Sequence, residues 1–139
     1  MFKTMISLMA VSGFAMVAQA ASLTVNIEKV RAGSGPVYVS LQTEDQFMKN
    51  DGKYGVIVET PGTGSISPVI EGIAPGTYAI SVWHDDNGNG QFDMGARGPL
   101  DGWAMIGGET MTAAPAFAEA SLTIGEADAR ADVTMIYGR

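Results

Sequence analysis

Apolar and polar residues alternate with a period of two along most of this chain. In SLTVNIEKV, Leu23, Val25 and Ile27 alternate with Thr24, Asn26 and Glu28. In PVYVSLQT, Val37, Val39 and Leu41 alternate with Tyr38, Ser40 and Gln42. YGVIVET and SISPVIEGI are two further runs rich in β-branched residues. GTYAISVWHD sets Tyr78, Ile80 and Val82 in one phase. ASLTIG and ARADVTMIY close the chain, with Ala131, Val133, Met135 and Tyr137 in phase. Successive side chains of a strand point to opposite faces, so each run is expected to rest one face on a core and turn the other to water. The runs are separated by turn signals: Gly33-Ser34-Gly35-Pro36, Asn50-Asp51-Gly52, Pro61-Gly62-Thr63-Gly64, Ala74-Pro75-Gly76-Thr77 and Gly125-Glu126-Ala127-Asp128. About seven short strands at this spacing predict an all-β fold, an antiparallel Greek-key β-sandwich, built by one domain over residues 21–139. A single short helical turn is expected in EDQFMKN, residues 44–50.

Two segments break the alternation. The first is MFKTMISLMAVSGFAMVAQA, with Lys3, an uncharged apolar run from Met5 to Ala18, and the small-x-small ending Ala18-Gln19-Ala20. This order is that of a secretory signal peptide cleaved after Ala20. An uncleaved anchor or a buried helix is the competing reading, but the run falls short of the about 20 apolar residues that span a bilayer. No later segment is long and apolar enough to do so, and the expected location is the periplasm or the exterior. The chain has no cysteine. The segment therefore offers no acceptor for lipidation, and an exported domain must be held by its core rather than by disulfides.

Loss of the signal removes Lys3 and no acid, so the formal net charge of −7 becomes −8. Such acidity argues against nucleic acid as a partner, because phosphates need a basic surface. It suits a solvated exterior or attraction for cations.

The second break runs from Asp85 to Pro115, rich in Gly, Asp, Met and Ala, with only Trp103–Gly107 resembling a strand. A long irregular stretch in a compact domain is usually functional or disordered. It opens with HDDNGNGQFD, from His84 to Asp93, which holds the only histidine. Side-chain oxygens fall at Asp85, Asn87, Asn89 and Asp93, with Gly90 at the sixth position and the backbone carbonyl of Gln91 at the seventh. This is the ligand spacing of a calcium loop, in which alternate side chains of a tight turn converge on one hard cation. The twelfth position is Ala96 instead of a bidentate acid, and no helix pair is expected to flank the loop. Asp86, Asp101 or Glu109 would have to complete the shell, and affinity should be weak, on the order of 10⁻⁴ to 10⁻³ M. Asn-Gly is also the leading hairpin-turn dipeptide, so a plain polar turn competes evenly with a Ca²⁺ site.

His84 lies in phase with Tyr78, Ile80 and Val82, which points it inward at the strand end; a core-edge histidine competes with a ligand or a base. Trp83, on the opposite face, and Trp103 are expected in packing, with stacking on a sugar or another ligand as the alternative. Arg97 is expected to neutralise nearby acids rather than bind an anion. No motif marks a serine or threonine as a nucleophile, so no catalytic residue is assigned.

The run EGIAPGTYAISVWHDDNGNGQFD, ending at Asp93, resembles the secreted bacterial family known as domain of unknown function 2141. Its members carry a Pro-Gly-x-Tyr strand followed by His-Asp-x-Asn-x-Asn-Gly-x-x-Asp, then Gly-x-Pro, an aromatic-Gly segment and a Pro-x-Phe-x-x-Ala strand. The matching residues are Pro75-Gly76-Thr77-Tyr78, His84 to Asp93, Gly98-Pro99, the Trp103 region and Pro115 to Ala120. LDGWAMIGG, from Leu100 to Gly108, departs from the Glu and Tyr-Gly-Phe-Ser-like run of the family; Asp101 takes the place of the Glu and the Ser is missing. The resemblance implies an exported fold, similar to prealbumin-like and other immunoglobulin-like sandwiches, with no assigned activity.

The expectation is an exported, non-enzymatic β-sandwich that binds an unidentified protein or small ligand at its acidic loop, with Ca²⁺ as the one candidate cofactor. A hydrolase is the alternative, because Tyr137-Gly138-Arg139 is faintly similar to the ending of the prealbumin-like hydroxyisourate hydrolases. A structural or adhesive surface component assembling through a sheet edge is the third reading.

Overall fold

The computed structural model describes Gly13, residues 20–49 and residues 51–138. Apart from Gly13 and Ala20, the expected signal peptide lies outside the described residues. Among them are eleven strands: β1 (Ala21–Val30), β2 (Val37–Gln42), β3 (Tyr54–Val58), β4 (Gly64–Ile66), β5 (Val69–Ile73), β6 (Gly76–His84), β7 (Met94–Gly95), β8 (Gly98–Pro99), β9 (Gly102–Ala104), β10 (Ser121–Ile124) and β11 (Ala129–Thr134). The expected helical turn is a 3₁₀ turn at Glu44–Gln46, and a four-residue helix α1 spans Phe117–Ala120.

The strands form two sheets and a small ribbon, an all-β sandwich. One sheet has the order β11-β1-β4, with β5 pairing β1 beyond β4. The other has the order β10-β6-β2-β3, with β9 beside β6. β7 and β8 pair only with each other. The second sheet is antiparallel throughout, but β1 and β11 run parallel, from Leu23↔Ala129 to Glu28↔Thr134. The sandwich is thus mostly antiparallel, as expected, with this one parallel pair. Alternation reports which face is buried and is blind to direction. Strands from opposite ends of the chain are joined through the rest of the fold, which meets the long connection that parallel neighbours need.

More strands exist than the about seven expected, for two local reasons. SISPVIEGI splits at Pro68, which has no N–H for a ladder; its carbonyl instead accepts the Val25 N–H at 2.9 Å. The irregular region supplies β7, β8 and β9, each two or three residues long. The Pro-x-Phe-x-x-Ala segment is not a strand at its centre. Phe117–Ala120 is a helical turn, opened by a hydrogen bond from the Ala116 N–H to Glu119 Oε2 at 3.0 Å, and β10 begins only at Ser121.

The core lies between the sheets and is made by the in-phase residues of the sequence. Leu23, Val25 and Ile27 of β1, Val37, Val39 and Leu41 of β2, and Ile80 and Val82 of β6 are buried. Ala131, Val133, Met135 and Tyr137 join them from the last strand and its extension. Each fully buried Leu, Ile or Val contributes about 1.5–3 kcal/mol relative to exposure. β6 is the axis of this arrangement. It pairs β2 along Ala79–His84, and on its other side it pairs β10 near its start and β9 near its end. The end of β6 is therefore held on both sides, and the acidic stretch leaves the sheet from there.

Candidate functional site

Asp85 is the first residue beyond β6, and only 2 % of its surface is exposed. Its N–H donates to the Pro36 carbonyl at 3.1 Å, and its own carbonyl accepts the Gly88 N–H at 3.1 Å. Gly35 presses against this carbonyl, so closely that a Cβ there would overlap the Asp85 oxygen and sit 3.1 Å from Gly88 Cα. Gly33 is packed in the same way: a Cβ would lie 2.9 Å from both Asp86 Cα and His84 Nε2. The Gly-Ser-Gly turn before β2 is thus the floor of the loop, and Ser34 N–H seals it by donating to the Asp86 carbonyl at 3.0 Å.

The loop folds around two carboxylates. Asp85 Oδ1 accepts the Asn89 N–H at 3.2 Å, and Oδ2 accepts the Gly90 N–H at 2.8 Å. Gly88 and Gly90 take φ values of 69° and 75°, the left-handed region that glycine enters without strain. The Asn87 and Asn89 side-chain amides both donate to Asp93 Oδ2, each at 2.7 Å. Their own Oδ1 atoms accept the N–H groups of Asn89 at 3.2 Å and Gln91 at 3.0 Å. The predicted side chains Asp85, Asn87, Asn89 and Asp93 are therefore brought into one loop network. Gln91 takes part through its backbone and is exposed.

The acids proposed to complete a shell behave differently. Asp101 is buried, and its Oδ2 accepts both the Asp93 N–H at 3.2 Å and Trp83 Nε1–H at 2.8 Å. It braces the end of the loop against the sheet. Burial raises its pKa above the usual carboxylate value and the nearby Asp93 and Asp86 charges add to this, while the Trp83 and Asp93 N–H groups act against it. Glu109 pairs with Lys29 at 3.2 Å, the one ion pair among the described residues. Arg97, expected to neutralise acids, is exposed and makes no ion pair there. No group of three His, Cys, Asp or Glu side chains suited to a metal occurs among the described residues.

His84 is fully buried, as its phase predicts. Its Nδ1 is 2.9 Å from the Tyr137 hydroxyl, which also accepts the Arg31 N–H at 2.9 Å. The Tyr137 hydroxyl thus bridges the Arg31 backbone and the imidazole. Nε2 is buried facing Gly33, without a hydrogen-bond partner among the described residues. The Arg31 guanidinium lies 4.7 Å from the Tyr137 ring centroid. Burial raises the Tyr137 pKa; the Arg31 N–H and guanidinium pull it down, and Asp86 pushes it further up. Two surface hollows, one lined by Met105, Gly107 to Glu109 and Asp132 and the other by Ile106 and Thr110 to Pro115, do not include His84 or the loop.

On the outer face of the second sheet, cross-strand neighbours form a row. Ile57 of β3 lies opposite Tyr38 of β2, Tyr38 opposite Trp83 of β6, and Trp83 opposite Trp103 of β9. The Tyr38 and Trp83 rings are stacked with centroids 4.6 Å apart, and Phe92 of the loop meets Trp83 edge-on at 6.1 Å. Sequence reading placed Trp83 outward but missed this row, because it depends on the register of four strands. It also missed Arg31, Gly33, Gly35 and Tyr137 as neighbours of the loop. The Gly-Ser-Gly run was the one available signal, and it read as a turn.

No curated protein and no solved structure gave a significant match. A family profile matches residues 25–132, which span the strand motifs, the whole acidic loop and most of the last strand. The chain belongs to the bacterial family described as "Uncharacterized protein conserved in bacteria (DUF2141)".

Proposed function

We propose that this protein is an exported β-sandwich module without enzymatic activity, whose loop Asp85–Asp93 binds Ca²⁺ and presents one end of the sandwich to a ligand or protein partner. The observation that carries this reading is the meeting of three side chains at one oxygen: Asn87 and Asn89 both reach Asp93 Oδ2 at 2.7 Å. Turning each amide over would exchange its nitrogen for its oxygen. Three oxygens would then face one point, an arrangement that only a cation makes favourable. Asp85 and the Gln91 carbonyl are the further donors of a hard-oxygen set. The turnover sacrifices the bonds to the Asn89 and Gln91 N–H groups, and two carboxylates are few, so the affinity expected is on the order of 10⁻⁴ to 10⁻³ M.

Export is favoured by β1 beginning at Ala21, the residue after the expected cleavage point. The absence of catalysis at His84 is favoured by its complete burial, with Tyr137 as its side-chain partner. No helix among the described residues is long and apolar enough to cross a membrane.

Calorimetric titration of the mature chain with CaCl₂ tests the metal reading. For a Kd near 1 mM, 10 mM Ca²⁺ should stabilise the fold by about 1.4 kcal/mol and raise Tm by several degrees. Asp93→Asn should abolish both effects. An absence of heat and of any melting shift at 10 mM Ca²⁺ would remove calcium from the proposal.

A further inference from the structure

We propose that two copies of this chain pair through β3, antiparallel and centred on Val56, to form a closed dimer with a continuous sheet. Among the described residues β3 is the last strand of its sheet and pairs only with β2. Its second row of backbone N–H and C=O groups faces away from that partner, and such an edge is a template for another strand. The edges at β11 and β10 are guarded. β11 carries Arg130 and Asp132 at exposed positions, and β10 is four residues long and preceded by α1. β3 carries no charge within Tyr54–Val58, and Ile57 is 52 % exposed on its outer face.

The flanking residues select the partner. Tyr54, Val56 and Val58 pack against the core and Gly55 and Ile57 lie on the outer face; Lys53 and Glu59, exposed just beyond the two ends of the strand, are in phase with them in sequence, and the Lys53 ammonium lies 5.8 Å from the Tyr54 ring centroid. A two-fold axis through Val56 sets Ile57 opposite Gly55 of the partner subunit, a large side chain beside a residue with none. The same axis sets Lys53 opposite Glu59 of the partner subunit, twice by symmetry. Within one protomer these two lie six residues apart on an extended strand, about 20 Å, and cannot meet. Among the described residues neither has an ion-pair partner. The neighbouring registers lack this fit. An axis through Gly55 sets Glu59 against Asp51 of the partner subunit, two like charges, and an axis through Ile57 sets Lys53 against Pro61 of the partner subunit. A second copy of the chain therefore complements β3 in shape, charge and register at once. The joined sheet would also bring the two rows of Ile57, Tyr38, Trp83 and Trp103 onto one face.

Sedimentation velocity of the mature chain, in chelator so that the result is independent of calcium, tests the proposal over a wide concentration range. The expected result is a reversible dimer. Lys53→Glu and Glu59→Lys should each weaken it about tenfold, because each turns two attractive cross-strand pairs repulsive. The double exchange K53E/E59K should restore it, and circular dichroism should show all three variants folded. A wild-type chain that stays monomeric throughout overturns the proposal. So does a dimer that ignores the single exchanges, or one that the double exchange fails to rescue.

Discussion

Replacing Gly35 with alanine adds one methyl group at the point where the turn before β2 supports the acidic loop. The methyl would overlap the Asp85 carbonyl oxygen and lie 3.1 Å from both the Asp85 carbonyl carbon and Gly88 Cα. All three atoms are backbone, so no side-chain rotation relieves the contact. Ordinary carbon contacts lie at about 3.5–4.0 Å, and the two segments must part by on the order of 1 Å. That movement stretches the Asp85 N–H to Pro36 bond and the Ser34 N–H to Asp86 bond, now 3.1 and 3.0 Å. Overpacking costs about 1–3 kcal/mol, and each weakened hydrogen bond up to about 1 kcal/mol. The expected loss is about 2–4 kcal/mol, or roughly 10 °C in Tm for a domain of this size. Urea unfolding of the variant measures it. Gly62→Ala is the control, because nothing lies within 4 Å of a Cβ at that position. It should change stability by no more than about 1 kcal/mol, with stabilisation as readily as loss. Equal stability of the two variants would refute the claim that the Gly-Ser-Gly turn is a close-packed floor.

Two further outcomes follow from the polar groups around the loop. The raised pKa of Asp101 means that the folded state keeps a proton that the unfolded state has already released. Its contribution is complete below the unfolded value and is lost as pH rises through the interval up to the folded value. Asp101→Asn keeps an acceptor for Trp83 and Asp93 but cannot ionise, so its stability relative to wild type should climb across that interval and stay level outside it. Parallel stability curves in chelator would contradict this. Tyr137→Phe removes the partner of His84 Nδ1 and the acceptor of the Arg31 N–H. It leaves an imidazole buried with neither nitrogen bonded, at a cost of about 2–4 kcal/mol that thermal or urea unfolding should register.

The loop network has a structural explanation that holds with or without a cation. Asp85 caps the N–H groups of Asn89 and Gly90, and Asp93 gathers two amides. A single Asn-Gly turn would need neither carboxylate. The presence of both, in ligand spacing, is why calcium is the test that matters most for this segment. Asp101, whose nearness to the loop made it a candidate ligand, is buried and accepts two N–H groups that brace the loop against the sheet.

By itself the sequence determined the strand runs, the face each turns to the core, and the loop residues that assemble after β6. These are local properties. Period-two alternation records burial directly, and the spacing of Asp85, Asn87, Asn89 and Asp93 is fixed within nine residues of one turn. The inward phase of His84 was legible for the same reason. The tertiary structure decided everything that depends on pairing across the chain. β1 and β11 lie parallel, although alternation carries no direction. Tyr137 reaches His84 across 53 residues, and Gly33 and Gly35 meet the loop only because β2 pairs β6. The aromatic row and the open edge at β3 follow from strand order alone. The energies of individual contacts are small and similar for many pairings; which contacts form is chosen by the packing of the whole core, and no short window of sequence contains that choice.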